Sequence, residues 1–215
     1  MPRLPGFADG HFSVQDLGAQ SVALLAAPRP ADVVLDLCAA PGGKTAHLAE
    51  LLGPGGDEAR RVGEAEAKGE GGGEGGGEGG GEGAGSGGYV VSVELHARKA
   101  LLIEETCARL GLSERVHVEC ADAADSSALL ALLAAHAPPN ETPITAPSAA
   151  PATKPGTTPA AALADCVVVD APCSGMGTLR RNPEHRYRVA DASRLEGLCA
   201  LQERLRGSSA AVRSP

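Results

Sequence analysis

Aromatic side chains are almost missing from this chain of 215 residues, which has no tryptophan, two tyrosines and two phenylalanines. Its core must therefore be aliphatic, and a platform of rings that stacks successive bases of a single strand is almost absent. Net positive charge is lacking as well, the formal charge being -8 and the pI near 5.2. Affinity for nucleic acid through counterion release needs Lys and Arg facing phosphates. The acidic balance thus excludes a general binder and leaves a local basic patch or a partner domain. No run approaches the roughly 18 consecutive apolar residues of a membrane span. The start MPRLPGFADG lacks the charged and apolar segments of a signal peptide. A soluble, non-secreted chain with no membrane partner is expected, its compartment left open.

Paired metal-binding cysteines are absent too. The six cysteines stand at 38, 107, 120, 166, 173 and 199. None forms a CxxC pair or has a histidine at zinc spacing, so no metal is expected. Cys107, Cys120, Cys166 and Cys199 read as buried, inert thiols in apolar elements. Cys38 and Cys173 instead adjoin glycine-rich turns.

What is present alternates in period. FSVQDLGAQSVALLAA places Val14, Leu17, Val22 and Leu25 on one helical face, which predicts an amphipathic entry helix ending before Pro28. VVLDL (33–37), YVVSVEL (89–95), RVHVEC (115–120) and DCVVV (165–169) read as strands. Helices are predicted over 45–52, 97–110, 126–135 and 192–206. Between them, the Gly/Glu tract 55–88 reads as a disordered insertion, because it has too little apolar surface to offset its ordering entropy. The Pro/Thr/Ala-rich stretch 137–161 reads as an inserted loop. Strand and helix in alternation predict a parallel α/β sheet.

Ligands of such sheets bind outside the carboxyl ends of the strands. The chemically suggestive groups stand there: Cys38 to Lys44 after the first strand, Glu94 after the second, Asp122 after the third, and Asp170 to Ser174 after the fourth. CAAPGGKT ends like a phosphate loop, yet cysteine occupies the place of its first glycine. The turn is also not the GxGxxG of a dinucleotide site. It suits a nucleoside without phosphates, with Gly42 and Gly43 admitting the ligand and helix amides facing it. Glu94 is placed for two ribose hydroxyls and Asp122 for an exocyclic amine. S-adenosylmethionine has this chemistry.

DLCAAPGGKT followed by DAPCSGMGTLRRNP, with FADGHFSVQDLGAQ ahead, RKALLIEETCARLGL after Glu94 and LEGLCALQERL near the end, resembles the Sun family of RNA cytosine-C5 methyltransferases, the bacterial-type small-subunit rRNA enzymes in particular. The resemblance implies a Rossmann-like S-adenosylmethionine-dependent sheet spanning 1–215 as a partial domain, a monomer acting on RNA, with ribosomal RNA expected. It implies that Cys38, Ala39, Ala40, Pro41, Gly42, Gly43 and Lys44 wrap the methionine part of the cofactor. Glu94 would hold the ribose, Asp122 would lie near the adenine, and Asp170 would lie by cofactor and target base.

Methylation at cytosine carbon 5 needs a thiolate to add at carbon 6 and a base to remove the carbon 5 proton. Cys173, on an exposed turn, is the visible candidate. The resemblance implies that it assists product release, while attack belongs to a Thr-Cys pair on a following strand. No Thr-Cys pair follows Asp170 here; Thr106-Cys107 lies in the second strand's helix, and Cys199 in an apolar helical repeat. The chain is therefore expected to be truncated at its carboxyl side, to bind cofactor weakly and to lack turnover. Arg180, Arg181, Arg186 and Arg188, with His185, form the local basic cluster, and phosphates flanking a target base are its expected ligands. Two other readings stay open: a non-catalytic cofactor- or RNA-binding remnant, and a nucleotide hydrolase using GGKT.

Overall fold

The computed structural model of the chain describes residues 4–53, 87–137, 163–188 and 192–214. Both insertions expected from composition, 55–88 and 137–161, lie outside the described residues except for their edges at 87, 88 and 137. Valine-rich runs form the strands β1 (Val33–Leu37), β2 (Tyr89–Glu94), β3 (Val116–Cys120) and β4 (Cys166–Val169). All pair in parallel, in the order β3-β2-β1-β4. Among the described residues the helices are α1 (Leu17–Ala26), α2 (Gly43–Leu51), α3 (Ala97–Arg109), α4 (Ser126–His136), the single turn α5 (His185–Arg188) and α6 (Ala192–Val212).

Alternation along the central strands sorts the core into two layers. Val34 and Val90 face α1, α2 and α3, packing with Ala23, Leu48, Leu52 and Ile103. Leu35, Leu37, Val91 and Val93 face the other side, against Leu129 and Leu133 of α4 and Leu205 and Val212 of α6. The chain is thus an α/β sandwich of the Rossmann-like class. Strand order reverses between β1 and β4, and that reversal opens a crevice at their carboxyl ends.

Three expectations are corrected. Of the α1 face expected inward, Val22 packs against the core, but Leu17 and Leu25 lie outward, 82% and 83% exposed. Ala23 and Ala26 complete the contact beside Val22, their small side chains letting α1 lie close on α2. The last helix does not stop at Arg206. It runs to Val212 because Leu205 and Val212 complete an apolar stripe, and the Ser208 hydroxyl between them donates to the Ala123 carbonyl at 2.6 Å. Cys199, two residues before the inward Leu201, is turned away from that stripe and exposed; Cys120, at the end of the outer strand β3, is exposed as well. Cys107 is buried and Cys166 partly so.

Candidate functional site at the carboxyl ends of the strands

Directly after β1 the backbone turns sharply. Cys38 adopts φ 60°, Ala40-Pro41 is cis, and Gly42 reaches φ 98°. The Gly42 amide donates to the Ala39 carbonyl at 2.9 Å, closing the turn that starts α2. Glycine at 42 is required twice over: for its left-handed φ, and because a Cβ there would stand 3.0 Å from Ile103 Cα. The close approach at Gly42 is therefore made to α3, whereas Gly43 has only Gln15 Nε2, at 3.8 Å, near its missing side chain. Gly42 caps α2 without any side-chain hydrogen bond, and no acidic residue stands in the first turn. The amides of that turn thus form a positive helix end beside the crevice.

An ion pair bridges the crevice: Lys44 Nζ donates to Asp170 Oδ2 at 2.7 Å, joining the start of α2 to the end of β4. Lys44 is thereby tied to a carboxylate, which does not suit the phosphate-gripping lysine of a nucleotide hydrolase.

Beneath the turn lies a buried polar chain that sequence reasoning passed over. Register pairs Asp36 of β1 with Ser92 of β2, both on the face toward α2. Thr45 sits over them: its hydroxyl donates to Asp36 Oδ2 at 2.7 Å and accepts from Ser92 Oγ at 3.1 Å. Asp36 Oδ1 is buried with no hydrogen-bond partner. Burial pushes the Asp36 carboxyl up to about 6, with the Thr45 hydrogen bond and Lys44 opposing and Asp170 adding to the rise. The signal was legible as one carboxylate inside the otherwise apolar run VVLDL.

An open cleft of about 280 Å³ collects the strand ends. Cys38, Glu94, Asp122 and Asp170 line it, facing an apolar wall that includes Val93, Pro172, Leu201 and Leu205. Glu94 is 6% exposed, and its Oε1 accepts the His96 amide at 3.1 Å. Asp122 is more open, accepting the Ala124 amide at 2.9 Å through Oδ1 and lying 3.5 Å from Arg204 through Oδ2. Burial, then the carboxylates of Glu94, Asp36, Asp170 and Asp122 in that order, pushes the Cys38 thiol up to about 11. Cys38 is thereby held as a neutral thiol at the cleft wall.

Of the glycine-turn residues, Cys38 and Ala40 line this cleft. Ala39 and Gly42 are buried, Pro41 is exposed, and Gly43 and Lys44 are half-buried outside the cleft lining. Leu201 and Leu205 of α6 were not anticipated; nothing in their apolar spacing distinguished a cleft wall from ordinary core. A larger cavity of about 360 Å³ lies against β3 and α3, lined by His117, Glu119 and His136 among others. It flanks the outermost strand and contains none of the strand-end carboxylates of Glu94, Asp122 and Asp170, so the smaller cleft is the candidate site.

Cys173 is exposed on the turn that leaves the cleft after Pro172. Gln202 of α6 fixes this turn from behind, donating from Nε2 to the Pro172 carbonyl at 2.8 Å. Of the expected basic cluster, Arg180 is exposed. Arg181 is paired with Asp16 ahead of α1, each holding the other charged. Arg186 lies over its neighbour Tyr187, 4.6 Å from the ring centre, and Arg188 ends α5. Among the described residues no group of three His, Cys, Asp or Glu is arranged to hold a metal, and no helix is long and apolar enough to cross a membrane.

The family model described as 16S rRNA methyltransferase RsmB/F matches residues 23–59, which include β1, the glycine turn and α2. The probable ribosomal RNA small subunit methyltransferase B of Synechocystis is 30% identical over 94% of this chain. That of Xanthomonas campestris, the ribosomal RNA small subunit methyltransferase B, is 32% identical over 94%. The chain spans 31% and 32% of these two relatives, about a third of their length. Among solved structures, NSun6 from Pyrococcus horikoshii with SFG superposes over 100% of this chain and 38% of its own, at 20% identity and a TM-score of 0.58, a likeness of fold.

Proposed function

From its similarity to the RsmB/F methyltransferases, we propose that this chain carries the S-adenosylmethionine-binding part of an RNA cytosine-C5 methyltransferase acting on ribosomal RNA. One observation carries the reading: the carboxylates at the ends of β2, β3 and β4 meet in a single cleft with an apolar wall. The residues present fit the cofactor. A buried carboxylate at Glu94 suits the paired hydroxyls of a ribose, and Asp122 at the open end suits an exocyclic amine. Leu201, Leu205 and Pro172 offer a flat apolar face for a purine. The uncapped start of α2 suits a carboxylate. Bound there, S-adenosylmethionine would supply an electrophilic methyl group on a sulfonium.

The remaining work falls to this chain's own groups. Asp170 is held by Lys44 where cofactor and target base would meet, oriented as an acceptor. Cys38, kept protonated by burial and then by its acidic neighbours, stays inert beside the methyl donor. Cys173, exposed at the cleft mouth and fixed through the Pro172 carbonyl, serves product release. Arg180 and Arg186 meet phosphates flanking the base, and Arg181 joins them when phosphate displaces Asp16. The attacking Thr-Cys cysteine is not among these residues, which supply the cofactor side of the reaction.

Methyl transfer from labelled S-adenosylmethionine to small-subunit rRNA, read as 5-methylcytidine by nucleoside mass spectrometry, tests this reading. The chain alone should give none, and a protein extended to include a Thr-Cys strand should give 5-methylcytidine. Product at another base, or none from the extended protein, would contradict it.

A further inference from the structure

His185 opens the single-turn helix α5. Its Nδ1 lies 3.2 Å from the Gly175 carbonyl oxygen and 3.3 Å from Thr178 Oγ1. The Thr178 hydroxyl donates to the same Gly175 carbonyl at 2.8 Å. With that proton spent, a proton on His185 Nδ1 satisfies both oxygens, so the network selects the Nδ1-H tautomer. Packing is equally close, because a Cβ at Gly175 would stand 2.2 Å from His185 Nδ1, and Gly175 has φ 74°. The imidazole therefore occupies the space that the glycine leaves open.

Gly175 is two residues from Cys173, and His185 directly precedes Arg186. We infer that His185 is a positioning residue that holds the Gly175 turn, and with it the Cys173 thiol, in fixed relation to the arginines of the basic cluster. Contact of Arg186 with a phosphate would thus be transmitted through one ring to the turn that presents the thiol. The functional meaning rests on the reading of Cys173 as a working thiol, whereas the clamp itself is tested without turnover.

Iodoacetamide labelling of the full chain, followed by peptide mass spectrometry, reports each cysteine separately. Replacing His185 by Ala removes one of three donors to the Gly175 carbonyl, the Thr178 amide and hydroxyl being the others, and the labelling rate of Cys173 should rise about five-fold, the change that loss of one hydrogen bond brings. Exposed Cys120 and Cys199 serve as internal controls and should keep their rates. His185→Asn should restore the slow rate, because the Asn amide nitrogen can stand where Nδ1 stands, a rescue that bulk packing alone would not give. Gly175→Ala, strained at its positive φ and with no room for a Cβ, should displace the imidazole and raise the rate as well. Cys173 rates within about two-fold of wild type in either folded single variant, the range of a neutral surface change, would overturn the inference. Calorimetry with S-adenosylhomocysteine separates the two readings. Absence of binding by the wild-type chain counts against the cofactor site, while the labelling rates still decide the clamp.

Discussion

Replacing Asp36 by Asn should flatten the pH dependence of stability. The buried carboxyl, raised from an ordinary value of 3.8 to about 6, holds its proton in the folded chain while the unfolded chain has lost it. Its stabilising contribution is complete below about pH 4, falls as pH rises and is gone above about pH 6. A rise of about two pKa units corresponds to about 3 kcal/mol in all, of which about 2 kcal/mol is lost between pH 4.5 and 7.5. Asn keeps the acceptor for the Thr45 hydroxyl but places an N-H where Oδ1 has no partner, at a cost of about 1–3 kcal/mol at every pH. The variant should thus be clearly weaker than wild type at pH 4.5 and close to it at pH 7.5. Urea unfolding followed by circular dichroism across this range gives the difference directly. A wild-type minus variant difference that stays constant with pH would refute the raised carboxyl and the account of the buried chain under the turn.

Two other substitutions probe the scaffold. Gly42→Ala forces a side chain into a left-handed φ against Ile103 and should cost about 1–3 kcal/mol, seen as a lower thermal midpoint. Leu205→Ala, at a side chain 2% exposed that serves both the core and the cleft wall, should cost about 2–5 kcal/mol in urea unfolding and weaken S-adenosylhomocysteine binding as well.

The strands and their carboxyl-end groups were legible because valine runs bounded by glycine and aspartate leave few alternatives, and the parallel sheet brings Glu94, Asp122 and Asp170 to one edge whatever the helices do. Side-chain direction on the helices was not legible. In α1 large and small apolar residues alternate around the whole surface, so the spacing of Leu17 and Leu25 could not reveal that Ala23 makes the contact. The end of α6 was hidden because Gly207 and two serines read as a turn until Leu205 and Val212 find the sheet. Asp36 escaped notice because its partner Thr45 is nine residues away and Ser92 lies on another strand; only register brings the three together.

Calorimetric titration of the chain with S-adenosylhomocysteine, wild type against Glu94→Gln, tests most directly whether the cleft at the strand ends is a nucleoside site. Gln keeps the oxygen that accepts the His96 amide and removes only the charge, so the fold should persist. Wild type should bind, and the variant should bind at least about ten-fold more weakly, as expected when charged acceptors of two hydroxyls become neutral. Equal affinity in the two proteins, or no binding by the wild-type chain, would contradict the account.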